Sequence, residues 1–127
     1  MKLVFDIGLY DGADTAYYLA EGYRVLAVEA NPTLVERARL AFQHELASGR
    51  LILVHGAVAD RAGEPVTLTI AGDDLGASSI FADRIADRAP VGFYTVAGIT
   101  IGQLIDSFGV PHFLKVDIEA ADRFCIL

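Results

Sequence analysis

The sequence predicts a doubly wound α/β fold, in which helices cover both faces of a largely parallel β-sheet. Two strand–helix units and a third strand follow one another within the first 55 residues. The first strand runs directly into a glycine turn, and 54% of the residues are hydrophobic, as expected for strands buried on both faces. A chain of 127 residues is long enough for one domain, which we expect to span residues 1–127.

Short apolar runs and capping residues define the elements of the first half. The second helix is predicted from its Asn31 cap, its first-turn proline and apolar residues at helical spacing. For the first helix, Asp11 or Asp14 is available as a cap. The predicted elements, in order, are a strand over Met1–Phe5, a helix over Ala13–Ala20, a strand over Arg24–Val28, a helix from Asn31 to about Ser48, and a strand over Leu51–Val54.

The second half begins with a hairpin-like insertion, predicted from strand patterns at Val66–Ile70 and Phe93–Ile99 around a polar, glycine-containing loop. A short helix over Ile101–Phe108 and an apolar strand over Phe113–Ile118 follow. Right-handed crossovers predict that the first strand lies between the second strand and this last one, with the third strand outside the second.

Composition argues against several classes of function. Seventeen acidic against ten basic residues give a net charge of −7, which disfavours a nucleic-acid partner. No apolar run is long enough to span a bilayer, no opening segment has the pattern of a signal peptide, and no cluster has metal-ligand spacing. Cys125 is the single cysteine, so no internal disulfide forms. We expect a cytoplasmic protein without a resident metal or a membrane partner.

The segment from Asp6 to Gly12 carries the strongest chemical signal. Its glycines at positions 8 and 12 permit a tight turn and close approach of a ligand beside a helix N-terminus. The spacing lacks the G-x-G-x-x-G pattern of NAD-binding domains. An acid at position 6 repels a pyrophosphate but accepts from an ammonium group, which favours S-adenosylmethionine over NAD. An ordinary strand–helix turn with a capping acid is the alternative.

Glu29 ends the second strand, 17 residues after Gly12, near the interval at which such folds place a carboxylate on ribose hydroxyls. The alternative is an acid that merely favours the following helix N-terminus. A ligand role predicts that Glu29→Ala weakens cofactor binding by about 1.5–3 kcal/mol with almost unchanged thermal stability. After the third strand, Gly56-Ala57-Val58 is a candidate wall for the adenine ring, although small residues there also suit packing.

Lys115, Asp117 and Glu119 alternate, so all three charged residues share one face if residues 113–119 are extended. Charges in an apolar central strand are costly unless they are paired or functional. Asp117 lies at the carboxyl end, where open α/β sheets bind ligands. An internal Lys115–Asp117 ion pair, with Glu119 capping a following helix, is the alternative.

Three segments in this order, 4–8 (Val-Phe-Asp-Ile-Gly), 28–32 (Val-Glu-Ala-Asn-Pro) and 114–119 (Leu-Lys-Val-Asp-Ile-Glu), together resemble the FkbM family of S-adenosylmethionine-dependent O-methyltransferases. The resemblance spans nearly the whole chain and includes the Ser78-Ser79 pair in the insertion. Two features depart from it, because the family usually has glycine where Ala120 stands and often a small residue and asparagine at positions 9 and 10.

The resemblance implies a Rossmann-like class I methyltransferase sheet and a set of site residues. Asp6, Gly8 and Gly12 then hold the methionine end of the cofactor, and Glu29 holds the ribose. Asp117 faces the sulfonium side or the substrate hydroxyl. The predicted cofactor-binding set comprises Asp6, Gly8, Asp11, Gly12, Glu29, Ala30, Ala57 and Asp117, and the predicted catalytic residues are Asp117 and Glu119.

The predicted reaction is methylation of a hydroxyl on a small molecule or sugar, in which Asp117 or Glu119 accepts the proton. Methyltransferases of this class have three more strands after the one that ends at Asp117, so we expect a sheet incomplete at its C-terminus. Such a sheet leaves an apolar edge, which predicts self-association. The alternative function is a cofactor-binding fragment or partner-dependent module without activity of its own.

Overall fold

The computed structural model describes residues 1–59, 65–71 and 90–116, with backbone alone for 65–71 and 90–94. Its strands are β1 (Leu3–Ile7), β2 (Arg24–Glu29), β3 (Leu51–His55), β4 (Ala57–Val58), β5 (Pro65–Ala71), β6 (Pro90–Ile99) and β7 (Phe113–Val116). Its helices are α1 (Ala13–Ala20), α2 (Pro32–Ala41), α3 (Gln43–Ser48) and α4 (Ile101–Phe108).

Four parallel strands form the main sheet, in the order β3-β2-β1-β7. This is the predicted order, with β1 between β2 and the last strand and with β3 outside β2. Each parallel neighbour is reached through a helical crossover, and right-handed crossovers leave few other arrangements. The chain therefore adds β2 and β3 on one side of β1 and β7 on the other, which places the topological switch point beside the carboxyl end of β1.

The main sheet carries an apolar layer on each face, which confirms the doubly wound α/β fold. On one face, Phe5 and Ile7 pack with residues of β2 and with Ile101 and Leu104 of α4. On the other face, α1 and α2 pack on the sheet through a second cluster, which comprises Leu9, Leu19, Val25, Ala27, Ala38 and Leu51. Burial on both faces explains why the strands are so apolar.

The predicted insertion is a second, three-stranded sheet with the order β4-β6-β5. The hairpin strands β5 and β6 pair antiparallel, from Pro65 opposite Ala97 to Ala71 opposite Pro90. The two-residue strand β4 pairs parallel with the end of β6. A Cβ on Gly56 would lie 2.5 Å from Ile99 Cδ1 and 3.2 Å from Ala97 O, so this close approach favours glycine.

Three predicted boundaries are wrong by two residues or more. The second strand of the insertion begins at Pro90 rather than Phe93, because its pairing with β5 extends to Ala71 opposite Pro90. The first strand is Leu3–Ile7 rather than Met1–Phe5, because its ladder with β2 continues to the pair Ile7 and Val28. The predicted helix up to Ser48 is divided at Phe42, whose φ of −115° and ψ of 33° are not helical. The α1 and α4 helices have the predicted bounds.

Helix ends follow the local chemistry of the sequence. Asn31 Oδ1 accepts from Thr33 N at 2.9 Å with proline at the first position of α2, as predicted. At α1, Asp11 Oδ1 accepts from Ala13 N at 3.0 Å, whereas Asp14 caps nothing. No helix in the described ranges is long and apolar enough to cross a membrane.

Candidate functional site

The candidate site lies at the carboxyl ends of β1 and β2, beside the turn of residues 8–12 that leads into α1. Three residues of this turn have left-handed backbone angles: Gly8 with φ 89°, Tyr10 with φ 53° and Gly12 with φ 84°. A Cβ on Gly12 would lie 2.9 Å from a ring carbon of Phe42, so both the backbone and the space favour glycine there. The predicted roles of Gly8 and Gly12 in shaping a tight turn agree with this geometry.

Backbone hydrogen bonds tie the turn to the neighbouring strand. Gly8 N donates to Val28 O at 2.9 Å, which extends the parallel ladder beyond β1. Gly12 N donates to Leu9 O at 3.0 Å and closes the turn. The Leu9 side chain is buried in the α1 face of the core, whereas Tyr10 and Asp11 are exposed at the surface. The turn is therefore fixed at both ends and presents its middle to solvent.

Glu29 joins the turn to the start of α2 through both oxygens of its carboxylate. Oε1 accepts from Tyr10 N and Oε2 accepts from Asn31 N, each at 2.9 Å. The residue is only 8% exposed. Desolvation by burial raises the pKa of Glu29, and hydrogen bonds from the backbone of Asn31, Tyr10 and Ala30 oppose this rise. A carboxylate held in this way bridges two loops that come from different strands.

Glu29 keeps acceptor capacity beyond these two bonds. An ionised carboxylate offers about four lone-pair sites, which is more than the backbone groups of Tyr10, Asn31 and Ala30 occupy. Its location at the end of β2 agrees with the position predicted for a ribose-binding acid. These backbone bonds change the expectation that Glu29→Ala leaves thermal stability almost unchanged. The substitution removes stabilising hydrogen bonds as well as a candidate cofactor-binding side chain.

Asp6 is fully buried under the amino end of α1. Its Oδ2 accepts from Thr15 Oγ1 at 2.5 Å, and its Oδ1 lies 3.1 Å from Lys115 Nζ. Desolvation raises the pKa of Asp6, while the Thr15 hydrogen bond and the Lys115 charge act in the opposite direction. In this arrangement the carboxylate is engaged by protein groups from α1 and β7.

Lys115 joins β7 to the turn and to α1. Its Nζ donates to Asp6 Oδ1 at 3.1 Å and to Gly8 O at 3.2 Å, and it lies 3.2 Å from Asp14 Oδ2. Desolvation lowers the pKa of Lys115, but the charge of Asp6 and hydrogen bonds to Asp6 and Asp14 outweigh it and raise the pKa. The parallel pairing of β1 with β7 places Asp6 opposite Lys115, which explains the contact.

Thr15 and Lys115 are site residues that the sequence-based residue set does not include. Alternation of charges singles out Lys115 and suggests Asp117 as its partner. Asp117 and Glu119 both lie outside the described residues. The partners found here, Asp6 and Asp14, are about a hundred residues away along the chain. The register between β1 and β7 is the missing information.

The other predicted residues have varied settings. Asp11 is exposed and bonds the first turn of α1. Ala30 is partly buried, and its carbonyl oxygen lies 3.0 Å from His55 Nε2. Ala57 is 4% exposed within β4, behind the close contact between Gly56 and β6. Within the described ranges, no group of three or more His, Cys, Asp or Glu side chains is arranged to hold a metal ion.

The polar groups of the candidate site fit a nucleoside better than a phosphate-rich ligand. Glu29 offers acceptor atoms to hydroxyl donors at the switch point, and the adjacent turn exposes backbone and an aromatic side chain. A pyrophosphate beside Glu29 would meet a carboxylate instead of a donor.

The chain matches the model of the methyltransferase FkbM domain over residues 6–126. It is also similar to a protein of Methanospirillum hungatei JF-1 named as a probable ribosomal RNA small subunit methyltransferase A, with 33% identity over 86 residues. That alignment covers 68% of this chain and 34% of the relative, so the chain spans about a third of the relative's length. No solved structure matches at a significant level. A family match over almost all of the sequence shows that this chain belongs to the methyltransferase FkbM domain family.

Proposed function

We propose that this domain binds S-adenosylmethionine at the carboxyl ends of β1 and β2 and methylates a hydroxyl of a small molecule or sugar. The observation that carries the proposal is Glu29, a buried carboxylate at the end of β2 that holds the β1–α1 turn and keeps acceptor capacity. It ends β2, the strand next to the switch point at β1, in a chain that belongs to the methyltransferase FkbM domain family.

In this proposal Glu29 accepts hydrogen bonds from the two ribose hydroxyls while keeping its bonds to Tyr10 N and Asn31 N. The turn at Gly8 and Gly12 lies against the methionine half, with Asp11 and Ala30 at the margin and Ala57 toward the adenine. Asp6 supports the turn from below rather than contacting the cofactor directly, because its carboxylate is fully buried and bonded to Thr15 and Lys115.

The bound cofactor supplies a methyl group activated by its sulfonium. The chain's own contribution is alignment of this group with the acceptor oxygen and exclusion of water. The hydroxyl proton passes to Asp117 or Glu119, which follow β7 in the sequence. Both acids follow in the sequence the strand that Lys115 ties to the turn, so we propose that proton acceptance and cofactor binding share this edge.

Two other functions are alternatives. One is a binding module without turnover, and the other is methylation of RNA, which the relative's name suggests. We favour a small uncharged acceptor over RNA because the chain carries a net charge of −7, which repels a phosphate backbone.

Calorimetric titration with S-adenosylmethionine and with NAD tests the cofactor. We expect saturable binding of the first and none of the second. Glu29→Gln should weaken binding about tenfold or more, as for loss of a charged hydrogen-bond acceptor. Glu36→Gln, at a 71% exposed side chain on α2, is the matched control and should bind normally. Binding of NAD, or equal affinity in both variants, would contradict the proposed site.

Transfer of a labelled methyl group then separates the acceptors. Sugars and small hydroxyl compounds should be labelled, and ribosomal RNA should not. Cofactor binding without transfer to any acceptor would favour the binding module, and labelling of RNA alone would favour the relative's substrate class.

A further inference from the structure

Tyr10 has a backbone conformation that tyrosine rarely adopts. Its φ is 53°, and it is the one non-glycine residue with positive φ among the described residues. Left-handed angles bring Cβ close to a carbonyl oxygen, so glycine and asparagine adopt them far more readily than aromatic residues. Strained backbone of this kind is concentrated at binding and catalytic sites, where surrounding contacts hold it.

A hydrogen bond from the backbone of Tyr10 explains its positive φ but does not explain why the side chain is a tyrosine. Tyr10 N donates to Glu29 Oε1 at 2.9 Å, and any residue with a backbone N–H would make this bond. Asparagine or glycine would make it with less strain. The requirement at this position therefore concerns the backbone alone, and the tyrosine ring needs a separate reason.

Packing within the described part of the chain does not supply that reason. Tyr10 is 47% exposed. The aromatic contacts of that part join Tyr17, Tyr18, Tyr23, His112 and Phe113 and do not include Tyr10. A single exposed tyrosine is ordinary on a surface. An exposed tyrosine at a strained position beside a buried carboxylate is not, because nearly half of its surface is open to solvent and the described residues give its ring no aromatic partner.

We propose that Tyr10 is a ligand-contacting residue whose ring packs against the nucleoside half of the cofactor held by Glu29. This inference rests on the proposed function. Because Tyr10 N is bonded to the Glu29 carboxylate, a ribose on that carboxylate lies within reach of the ring. An aromatic face packs well on the apolar surface of a nucleoside, and such contacts strengthen binding without selecting a base by hydrogen bonding.

Substitutions at position 10 separate strain from ligand contact. Tyr10→Asn and Tyr10→Gly keep the backbone bond and relieve the strain, so both should raise the melting temperature. Both should weaken binding of S-adenosylhomocysteine about tenfold or more, with a similar loss for adenosine. Tyr10→Phe keeps the ring and should bind within about twofold of the wild-type chain. Tyr17→Asn, at a 60% exposed tyrosine on α1, is the matched control. It should leave the affinity unchanged and should not raise the melting temperature.

The outcomes distinguish this inference from the function on which it rests. If the wild-type chain binds neither S-adenosylhomocysteine nor S-adenosylmethionine, both are overturned. If it binds them and Tyr10→Asn binds equally well, the ligand contact is wrong and the proposed function stands. Weaker binding of S-adenosylhomocysteine with unchanged affinity for adenosine would overturn the assignment to the nucleoside half. A lower melting temperature in both Tyr10→Asn and Tyr10→Gly would show that the ring stabilises the fold and would overturn the inference.

Discussion

Replacing Glu29 with alanine should destabilise the fold as well as weaken cofactor binding. The carboxylate accepts from Tyr10 N and Asn31 N at 2.9 Å, and both donors lie in loops of the candidate site. Alanine leaves the two N–H groups without this acceptor. The earlier expectation of almost unchanged stability holds only for a carboxylate that bonds to a ligand alone.

The size of the effect follows from the two bonds and the burial. A hydrogen bond to a charged group contributes about 1.5–3 kcal/mol net, so two such bonds contribute at most about 3–6 kcal/mol. Burial opposes this gain, since it raises the pKa of Glu29 by disfavouring the charged form. We therefore expect Glu29→Ala to lower the free energy of unfolding by about 2–4 kcal/mol.

Urea unfolding at neutral pH measures this change. With a slope of about 2 kcal/mol per molar urea, the midpoint should fall by about 1–2 M. Glu36→Ala is the matched control, because that glutamate is exposed and pairs with Arg39 at the surface. Its replacement should change stability by less than about 0.5 kcal/mol. A Glu29→Ala midpoint equal to that of the control would refute the view that this carboxylate holds the two loops together.

Three further predictions concern the same region. Lys115→Met should destabilise by about 3–5 kcal/mol, because it leaves Asp6 buried without its cation, and adding Asp6→Asn should recover more than half of the loss; a single variant as stable as wild type in urea would show that the pair contributes little. The raised pKa values of Asp6 and Glu29 mean that these groups lose protons first in the unfolded chain, so their contribution to stability falls as pH rises from about 4 toward the raised values. Glu29→Gln should flatten that fall in unfolding curves measured across this range, and an unchanged slope would contradict the shift. Gly12→Ala should cost about 1–2 kcal/mol more than Gly22→Ala in thermal unfolding, since both have positive φ but only the first places a Cβ against a phenylalanine ring, and equal losses would show that the ring moves aside freely.

Local patterns in the sequence were sufficient for the elements and their order. The bounds of α1 and α4, the antiparallel hairpin and the order of the four parallel strands agree with the sequence-based predictions. Periodicity and capping act over a few residues, so they are readable without a structure. Strand order followed because right-handed crossovers permit few arrangements. The same local reasoning extended the second helix through Phe42, where a tertiary contact with the turn at Gly12 coincides with the change in backbone angles.

What the sequence by itself determined was therefore the doubly wound fold and the neighbourhood of the candidate site, with Asp6, Gly8, Gly12 and Glu29 as its residues. Only the tertiary structure decided which atoms meet there. Asp6 bonds Lys115, 109 residues away, and Glu29 bonds the backbone of Tyr10, 19 residues away. These contacts depend on the register between neighbouring strands and on the path of the turn, and neither is encoded in the periodicity of a single segment. The physical reason is that a buried carboxylate takes whichever donor the packed strands bring within about 3 Å, and that choice is made by the whole fold.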